Sequence, residues 1–356
     1  MTALLEIDLA AVAWNWRKLA AMHTGATAGV IKADAYGLGA AQVAPKLLAA
    51  GCRHFFLAHL AEAVALRPLL PGVMLAALNG LRPEETGDCY AQGIVPVLGS
   101  LHELGWWRAE AALRGAVLPV ILQVDTGMAR LGLSAPELSA LREDAALLQG
   151  LRIEYVLTHL TSSEEPRAPV NQRQAQAFAG IMRQFPGVKT SFANTSGMFL
   201  GADFVSGLAR PGAGLYGLNP TPEAANPMRP VVRLSAPILQ IHDVETGGAV
   251  GYGGTWVAKR PSRIATVGVG YADGYLRALS NAGTARFDDT PVPLVGRVSM
   301  DLTTFDVTGL PVSPGDMLCL LGPGHGPDEL AREAGTTGYE ILTSLGRRYR
   351  RRYIGA

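Results

Sequence analysis

The stretch AGVIKADAYG, residues 28–37, sets a lysine at the end of an apolar run. Val30 and Ile31 read as buried strand residues and Tyr36-Gly37 as a turn, so Lys32 stands where a core strand meets the surface. An ammonium held there is partly desolvated, which lowers its pKa and frees an amine able to form a Schiff base with a carbonyl compound. A long side chain that merely carries its charge out to water is the plainer alternative, and position alone leaves both open. Four other polar residues occupy comparable places: Asp125 after LPVILQV, His159 ending IEYVLTH, Asn194 ending TSFAN and Arg210 ending VSGLAR.

These residues need elements that bring them to one place. The apolar or β-branched runs are AGVIK (28–32), HFFLA (54–58), VMLAAL (73–78), IVPVL (94–98), LPVILQV (118–124), IEYVLTH (153–159), TSFAN (190–194) and VSGLAR (205–210). Helical patterns such as AAQVAPKLLAAG lie between them. SAPELSALREDAALLQG opens on a Ser134-x-x-Glu137 capping box and closes on Gly150. Continuous apolar strands alternating with helices predict an α/β fold, an N-terminal (β/α)8 TIM-type barrel, with a doubly wound open sheet as the competing architecture. In a barrel all five polar residues fall at the strand C-termini, where barrel enzymes keep their active sites. After NPTPEAANPMRP the alternation stops, and short strand-like runs with turn dipeptides such as Asp273-Gly274 and Pro314-Gly315 follow. The expected division is a barrel over residues 1–222 and a β-rich domain over 223–356 with one late helix, PDELAREAG.

Composition narrows the class. The 356 residues are 48% hydrophobic and 17% charged with a net charge of +1, which allows a large core and gives no electrostatic case for nucleic acid or acidic lipid. Cys52, Cys89 and Cys319 are far apart and odd in number, which fits a reducing compartment. The start MTALLEIDLAAVAWNW has no basic leader, and no apolar run reaches the ~20 residues of a bilayer span, so a soluble cytoplasmic protein is expected. The seven histidines show no ligand spacing, so no metal is expected. Gly37-Leu-Gly39-Ala-Ala-Gln42 begins like a dinucleotide fingerprint but lacks its third glycine and its later acidic residue. The basic run Arg347-Arg-Tyr-Arg-Arg-Arg-Tyr353 reads as a solvated strand or helix face.

VIKADAYG resembles the pyridoxal-phosphate lysine motif of alanine racemases. The resemblance continues in the family's order through FFLAHLAEAVALR, QVDTGMARLGL, LTHLTSS, FANTSG, ARPGAGLYG, VGYGGTW, VGYADGYLR, GRVSMD and TGYEIL. It implies a barrel followed by a β-domain, with the first ~12 residues joining the latter, and a homodimer arranged head to tail with shared active sites. By this resemblance Lys32 carries pyridoxal 5'-phosphate as a Schiff base. The phosphate is held by Tyr36, Thr195, the backbone around Gly212 and Ala213, and Tyr339, with His159 and Asn194 beside the cofactor. Arg210 faces the pyridine nitrogen. Lys32 and Tyr252, the latter from the other subunit, are the two bases, and a chain through His159 to Arg210 supports the ionisation of Tyr252. Arg130 and the backbone N–H of Met300 bind the substrate carboxylate, and Tyr271 narrows the mouth. The implied activity is interconversion of L- and D-alanine, supplying D-alanine for peptidoglycan.

Two departures stand out. Where the family often has a carbamylated lysine, this chain has Gln123, whose amide oxygen is a weaker acceptor for Arg130; this predicts no activation by bicarbonate. The family's YGHG reads Tyr36-Gly-Leu38-Gly here, without a mechanistic consequence that we can name. The competing readings are a racemase of broader specificity or one acting on serine, a pyridoxal-phosphate carrier of the single-domain type, and a cofactor-free Schiff-base aldolase.

Overall fold

The computed structural model describes residues 2–355, so Met1 and Ala356, the outer limits of the two expected domains, lie outside it. Each of the eight apolar runs contains or overlaps a strand: Gly29–Val30, His54–Leu57, Met74–Ala77, Val95–Leu98, Leu118–Gln123, Leu151–Leu157, Thr190–Ser191 and Leu208–Ala209. They pair in parallel in chain order, and a short extra strand, Ala26–Thr27, pairs with Leu208–Ala209. The two ends of the sheet are therefore consecutive pieces of one stretch. Backbone bonds from the N–H groups of Ala26, Ala28 and Val30 to the carbonyls of Gly207, Ala209 and Pro211, at 2.9, 2.9 and 3.0 Å, seal it. A sheet that returns to its own first strand is a barrel, and the open doubly wound alternative is excluded.

Two local expectations need correction. The strands end before the runs do, so Lys32, His159, Asn194 and Arg210 sit just past the strand ends, not on the strands. The helix opened by Ser134 covers Ala135–Glu143 and does not run on to Gly150. Asp144 turns extended, and its carboxylate accepts from the Ala146 N–H at 2.9 Å to start a separate short turn, Ala145–Leu148. The Glu137 carboxylate does receive the Ser134 N–H and hydroxyl, at 2.9 and 2.6 Å.

The second sheet runs, edge to edge, Thr290–Pro293, Thr284–Phe287, Met317–Leu321, Val232–Val244, Leu4–Asp8 and Arg350–Ile354. Ser262–Val267 pairs with the far half of Val232–Val244 and with Thr303–Asp306. The N-terminal strand Leu4–Asp8 lies antiparallel to Val232–Val244 and parallel to Arg350–Ile354, with Leu5 and Ile7 turned into the core. Asp8 then caps the helix Leu9–Met22 by accepting the Ala11 N–H at 2.9 Å. This part of the chain has two late helices, not one: Pro327–Ala334 and Gly338–Ser344, separated by a left-handed Gly335. TGYEILTS is short and its β-branched residues hide the helical period. Barrel and sheet share one continuous core, in which Phe55, Phe56, Leu5 and Leu318 belong to the same cluster. Among the described residues no helix is long and apolar enough to cross a membrane.

Candidate active site

Lys32 follows the buried Ile31 and opens a turn of an unusual kind. Ala33, Asp34, Ala35 and Tyr36 all have φ between +52° and +57°, one turn of left-handed helix made without glycine. Each such residue costs about 1–2 kcal/mol, so the turn persists only where neighbours hold it. Glu62 does this from the next βα unit. One carboxylate oxygen accepts the Ala33 N–H at 2.7 Å, and the other accepts the N–H groups of Ala58 and His59 at 2.8 and 3.1 Å. Sequence reasoning gave Glu62 no role, although it lies within the quoted block FFLAHLAEAVALR.

The turn aims into a cleft of about 590 Å³ at the C-terminal end of the barrel. Lys32, Tyr36, Arg130, His159, Asn194, Thr195, Arg210, Gly212, Ala213 and Tyr339 all line it, so ten of the thirteen expected site residues are brought together. Burial lowers the Lys32 pKa, and the nearby Arg130 and Arg210 cations lower it further, against an opposing pull from Glu62. The same causes push His159 down to about 3: burial first, then Arg210, Arg130 and Lys32. His159 is therefore a neutral ring among three cations. Arg210 is 5% exposed, and its guanidinium donates to Ser191 Oγ and the Thr158 carbonyl, both at 2.7 Å. These bonds take two of its five N–H groups, and among the described residues no hydrogen bond joins Arg210 to His159.

A cradle lies opposite. Thr195 Oγ1 accepts the N–H groups of Gly212 and Gly214 at 3.0 and 3.3 Å, which leaves its own hydrogen to donate. A Cβ at Gly212 would collide with the Tyr36 hydroxyl, so only glycine lets backbone and phenol approach this closely. Burial raises the Tyr36 pKa to about 12, which keeps it a neutral donor. Tyr339 packs near Tyr36, with ring centroids 6.2 Å apart, and donates to Glu164 at 2.8 Å. Hydroxyl and amide donors beside buried positive charge suit a phosphate, and the adjacent lysine suits an aldehyde, so this cleft fits a pyridoxal phosphate. The larger neighbouring cleft, about 740 Å³, shares Glu164 and Tyr339 but adds Asp328 and Glu329, a poor setting for an anion.

Asp125 and Gln123 behave differently from the sequence reading. Asp125 does not line the cleft; its carboxylate folds the following loop by accepting the N–H groups of Gly127, Met128 and Ala129 at 2.8–3.2 Å. Gln123 is buried, but its amide donates to the Leu131 carbonyl at 3.2 Å and does not accept from Arg130. Tyr252, Tyr271 and Met300 lie outside the cleft, in loops of the β-rich part of the chain, exposed by 72%, 43% and 55%. Their loops adjoin: the N–H groups of Tyr271 and Ala272 donate to the carbonyls of Ser299 and Met300 at 3.0 Å, and the Gly251 backbone packs on Arg297.

A closed parallel barrel with a part-desolvated lysine at its mouth, joined to a β-rich unit, defines a two-part lysine enzyme of the barrel class. Two family descriptions cover this chain: "Alanine racemase, N-terminal domain" matches residues 7–220 and "Alanine racemase, C-terminal domain" residues 231–353. An alanine racemase of Acidiphilium cryptum is 58% identical over 98% of this chain and 97% of its own. The crystal structure of an alanine racemase from Bartonella henselae, with covalently bound pyridoxal phosphate, superposes with a TM-score of 0.96 at 40% identity, covering 99% of this chain and 100% of that one. The biosynthetic alanine racemase of Pseudomonas aeruginosa gives a TM-score of 0.93 at 30% identity over 99% of both chains. The chain belongs to the alanine racemase family of isomerases.

Proposed function

We propose that this enzyme interconverts L- and D-alanine with pyridoxal 5'-phosphate on Lys32, acting as a homodimer in which Tyr252 of each subunit serves the other subunit's cleft. The observation that carries this reading is the convergence of a lowered-pKa lysine, a buried arginine and a glycine cradle in one cleft of a chain from this family. When bound, the pyridoxal ring delocalises the electron pair left on the α-carbon as its proton departs.

Every other contribution comes from the chain. Tyr36, Thr195, Tyr339 and the backbone at Gly212 and Ala213 would hold the phosphate, with His159 and Asn194 completing the wall. Arg210 would face the ring nitrogen; a guanidinium only donates, so it would offer that nitrogen no acid partner and would disfavour reprotonation at the wrong carbon. Lys32, its ammonium disfavoured by burial, exchanges the proton on one side of the α-carbon. Tyr252 exchanges it on the other. Arg130 and the Met300 N–H would hold the carboxylate, with Tyr271 narrowing the mouth. The exposure of Tyr252, Tyr271 and Met300 supports the dimer, since these are the faces a second copy would cover. The product would supply D-alanine for peptidoglycan in the cytoplasm, a reducing compartment that suits three unpaired cysteines.

The test is deuterium wash-in from solvent to the α-position of L-alanine and L-serine, with product chirality scored. Exchange with conversion to D-alanine is expected, with serine slower. Exchange on serine alone would move the reading to a serine racemase, and no exchange at all would leave the carrier.

A further inference from the structure

The basic run Arg347–Tyr353 is a sequence feature that the proposed chemistry leaves unused; the expectation of a solvated face fails for the half-buried Arg351, while Arg348 is exposed but ion-paired. Arg351 reaches across to the barrel. Its Nη1 donates to the Gly37 carbonyl at 2.7 Å, and its Nη2 to the carbonyls of Leu345 and Gly346 at 3.2 Å each. Gly37 closes the left-handed turn that begins after Lys32, and Leu345 and Gly346 end the helix Gly338–Ser344, which carries Tyr339. One guanidinium therefore ties the turn of the lysine to the helix of the tyrosine. Three carbonyls accepting from one planar fork is a task for arginine; a lysine ammonium could not span them in the same geometry. Tyr353 packs against the same turn, where a Cβ at Gly39 would collide with its hydroxyl.

Arg348, three residues earlier, engages other loops. Its Nε lies 3.1 Å from Asp273 Oδ1 and its Nη1 2.8 Å from Asp301 Oδ1. Asp273 is buried, sits two residues beyond Tyr271 and also accepts the Gly270 N–H at 2.9 Å. Asp301 directly follows Met300. Arg348 thus spans the two loops that present Tyr271 and Met300.

We propose that Arg351 and Arg348 are positioning residues of opposite allegiance: Arg351 sets the Lys32 turn of its own subunit's active site, and Arg348 sets the Tyr271 and Met300 loops that complete the other subunit's site. The C-terminal segment is then a strut linking two active sites. The assignment of Arg348 rests on the shared-site reading above.

Subunit mixing tests it, with each variant made as the full-length holoenzyme and heterodimers isolated by two different tags. The control pair, Lys32→Ala with Tyr252→Phe, should regain one intact site of two, about half the wild-type rate. Arg351→Ala should then be complemented by Tyr252→Phe and not by Lys32→Ala. Arg348→Ala should show the reverse pattern, complemented by Lys32→Ala and not by Tyr252→Phe. As homodimers, Arg351→Ala should lower kcat about ten-fold or more and shift the pH titration of the lysine-bound pyridoxal absorbance, as misplacement of a reacting group does. Arg348→Ala should raise KM for alanine and leave that titration in place. Arg351→Lys and Arg348→Lys should show the same patterns at smaller amplitude, and they replace the alanine variants if those do not fold. If the control pair complements while the arginine variants do not sort in this way, the strut is wrong and shared sites stand. If the control pair itself fails, the shared-site reading falls and the role of Arg348 falls with it.

Discussion

The two groups of candidate residues live under different physical conditions. Lys32, Arg210, Thr195 and Gly212 are held by the barrel: strained backbone fixed by Glu62, a buried guanidinium with committed donors, a glycine pressed against a phenol. Tyr252, Tyr271 and Met300 stand in loops of the β-rich part of the chain, exposed in the single chain and outside the cleft lining. The first group is organised by folding, the second by whatever covers it. Substitutions in the first should therefore disturb stability and cofactor retention together with catalysis, while substitutions in the second should disturb catalysis alone.

The sharpest break of that contrast is chemical. Lys32→Ala should abolish racemisation in both directions, a loss on the order of 10³-fold or more, because it removes a base and the attachment point together. Tyr252→Phe should slow proton removal from L-alanine by about 10²–10⁴-fold and from D-alanine much less. Its thermal stability should stay within about 0.5 kcal/mol of wild type, since the ring is exposed. Single-turnover exchange read separately for the two enantiomers checks this, and equal slowing in both directions would contradict the division of labour.

Next in size is Gly212→Ala. The added methyl meets the Tyr36 hydroxyl and lies 3.3 Å from the Val30 Cβ, inside a packed wall. Overpacking of this kind costs about 1–3 kcal/mol, so the unfolding midpoint should fall and pyridoxal phosphate should bind more weakly. Thermal unfolding and cofactor titration measure both. A variant with unaltered stability that lost activity would mean that the cradle is not pre-organised.

How far this was legible in the sequence follows the same contrast. The barrel strands were readable because parallel strands covered on both faces are continuous apolar runs, and the resemblance supplied residues that the cleft indeed gathers. The left-handed turn was not readable: Ala33, Asp34, Ala35 and Tyr36 carry no local signal for positive φ, which here is imposed by Glu62 and by the backbone of the helix at Leu342. Asp125 looked like a mouth residue by position, yet its carboxylate turns back on its own loop. The bond from Arg351 to the Gly37 carbonyl and the ion pairs of Arg348 with Asp273 and Asp301 join residues far apart in the chain, which no local pattern encodes.

Acid stability gives a smaller effect, specific to the barrel side. His159 titrates near 3 in the folded chain against an ordinary 6.5. Between those values the unfolded imidazole binds a proton that the folded one refuses, so stability drops as pH falls below about 6.5. At pH 5 the gap of about 1.5 units corresponds to about 2 kcal/mol of lost stability from this one ring. Denaturant titrations at pH 7 and 5 should show His159→Gln losing correspondingly less than wild type. An equal loss in both would place the ring's protonation outside the folding balance.

The smallest effect tests where the barrel's control over its own residues ends. Arg130 is surface-exposed in the single chain, with no hydrogen-bond partner for its side chain among the described residues, while the neighbouring carbonyl of Leu131 is held by the Gln123 amide. The arginine is thus positioned through the backbone of its loop, not through an anion beside its guanidinium. Gln123→Met should cost about 1 kcal/mol of that support, roughly five-fold in KM for alanine with kcat less affected. Bicarbonate should leave the wild-type rate unchanged, because an amide cannot take up carbon dioxide as an amine does. Activation by bicarbonate would require some lysine elsewhere to supply the missing charge, and an unchanged KM in Gln123→Met would mean that Arg130 is set by the covering subunit, which would place it with the second group of residues.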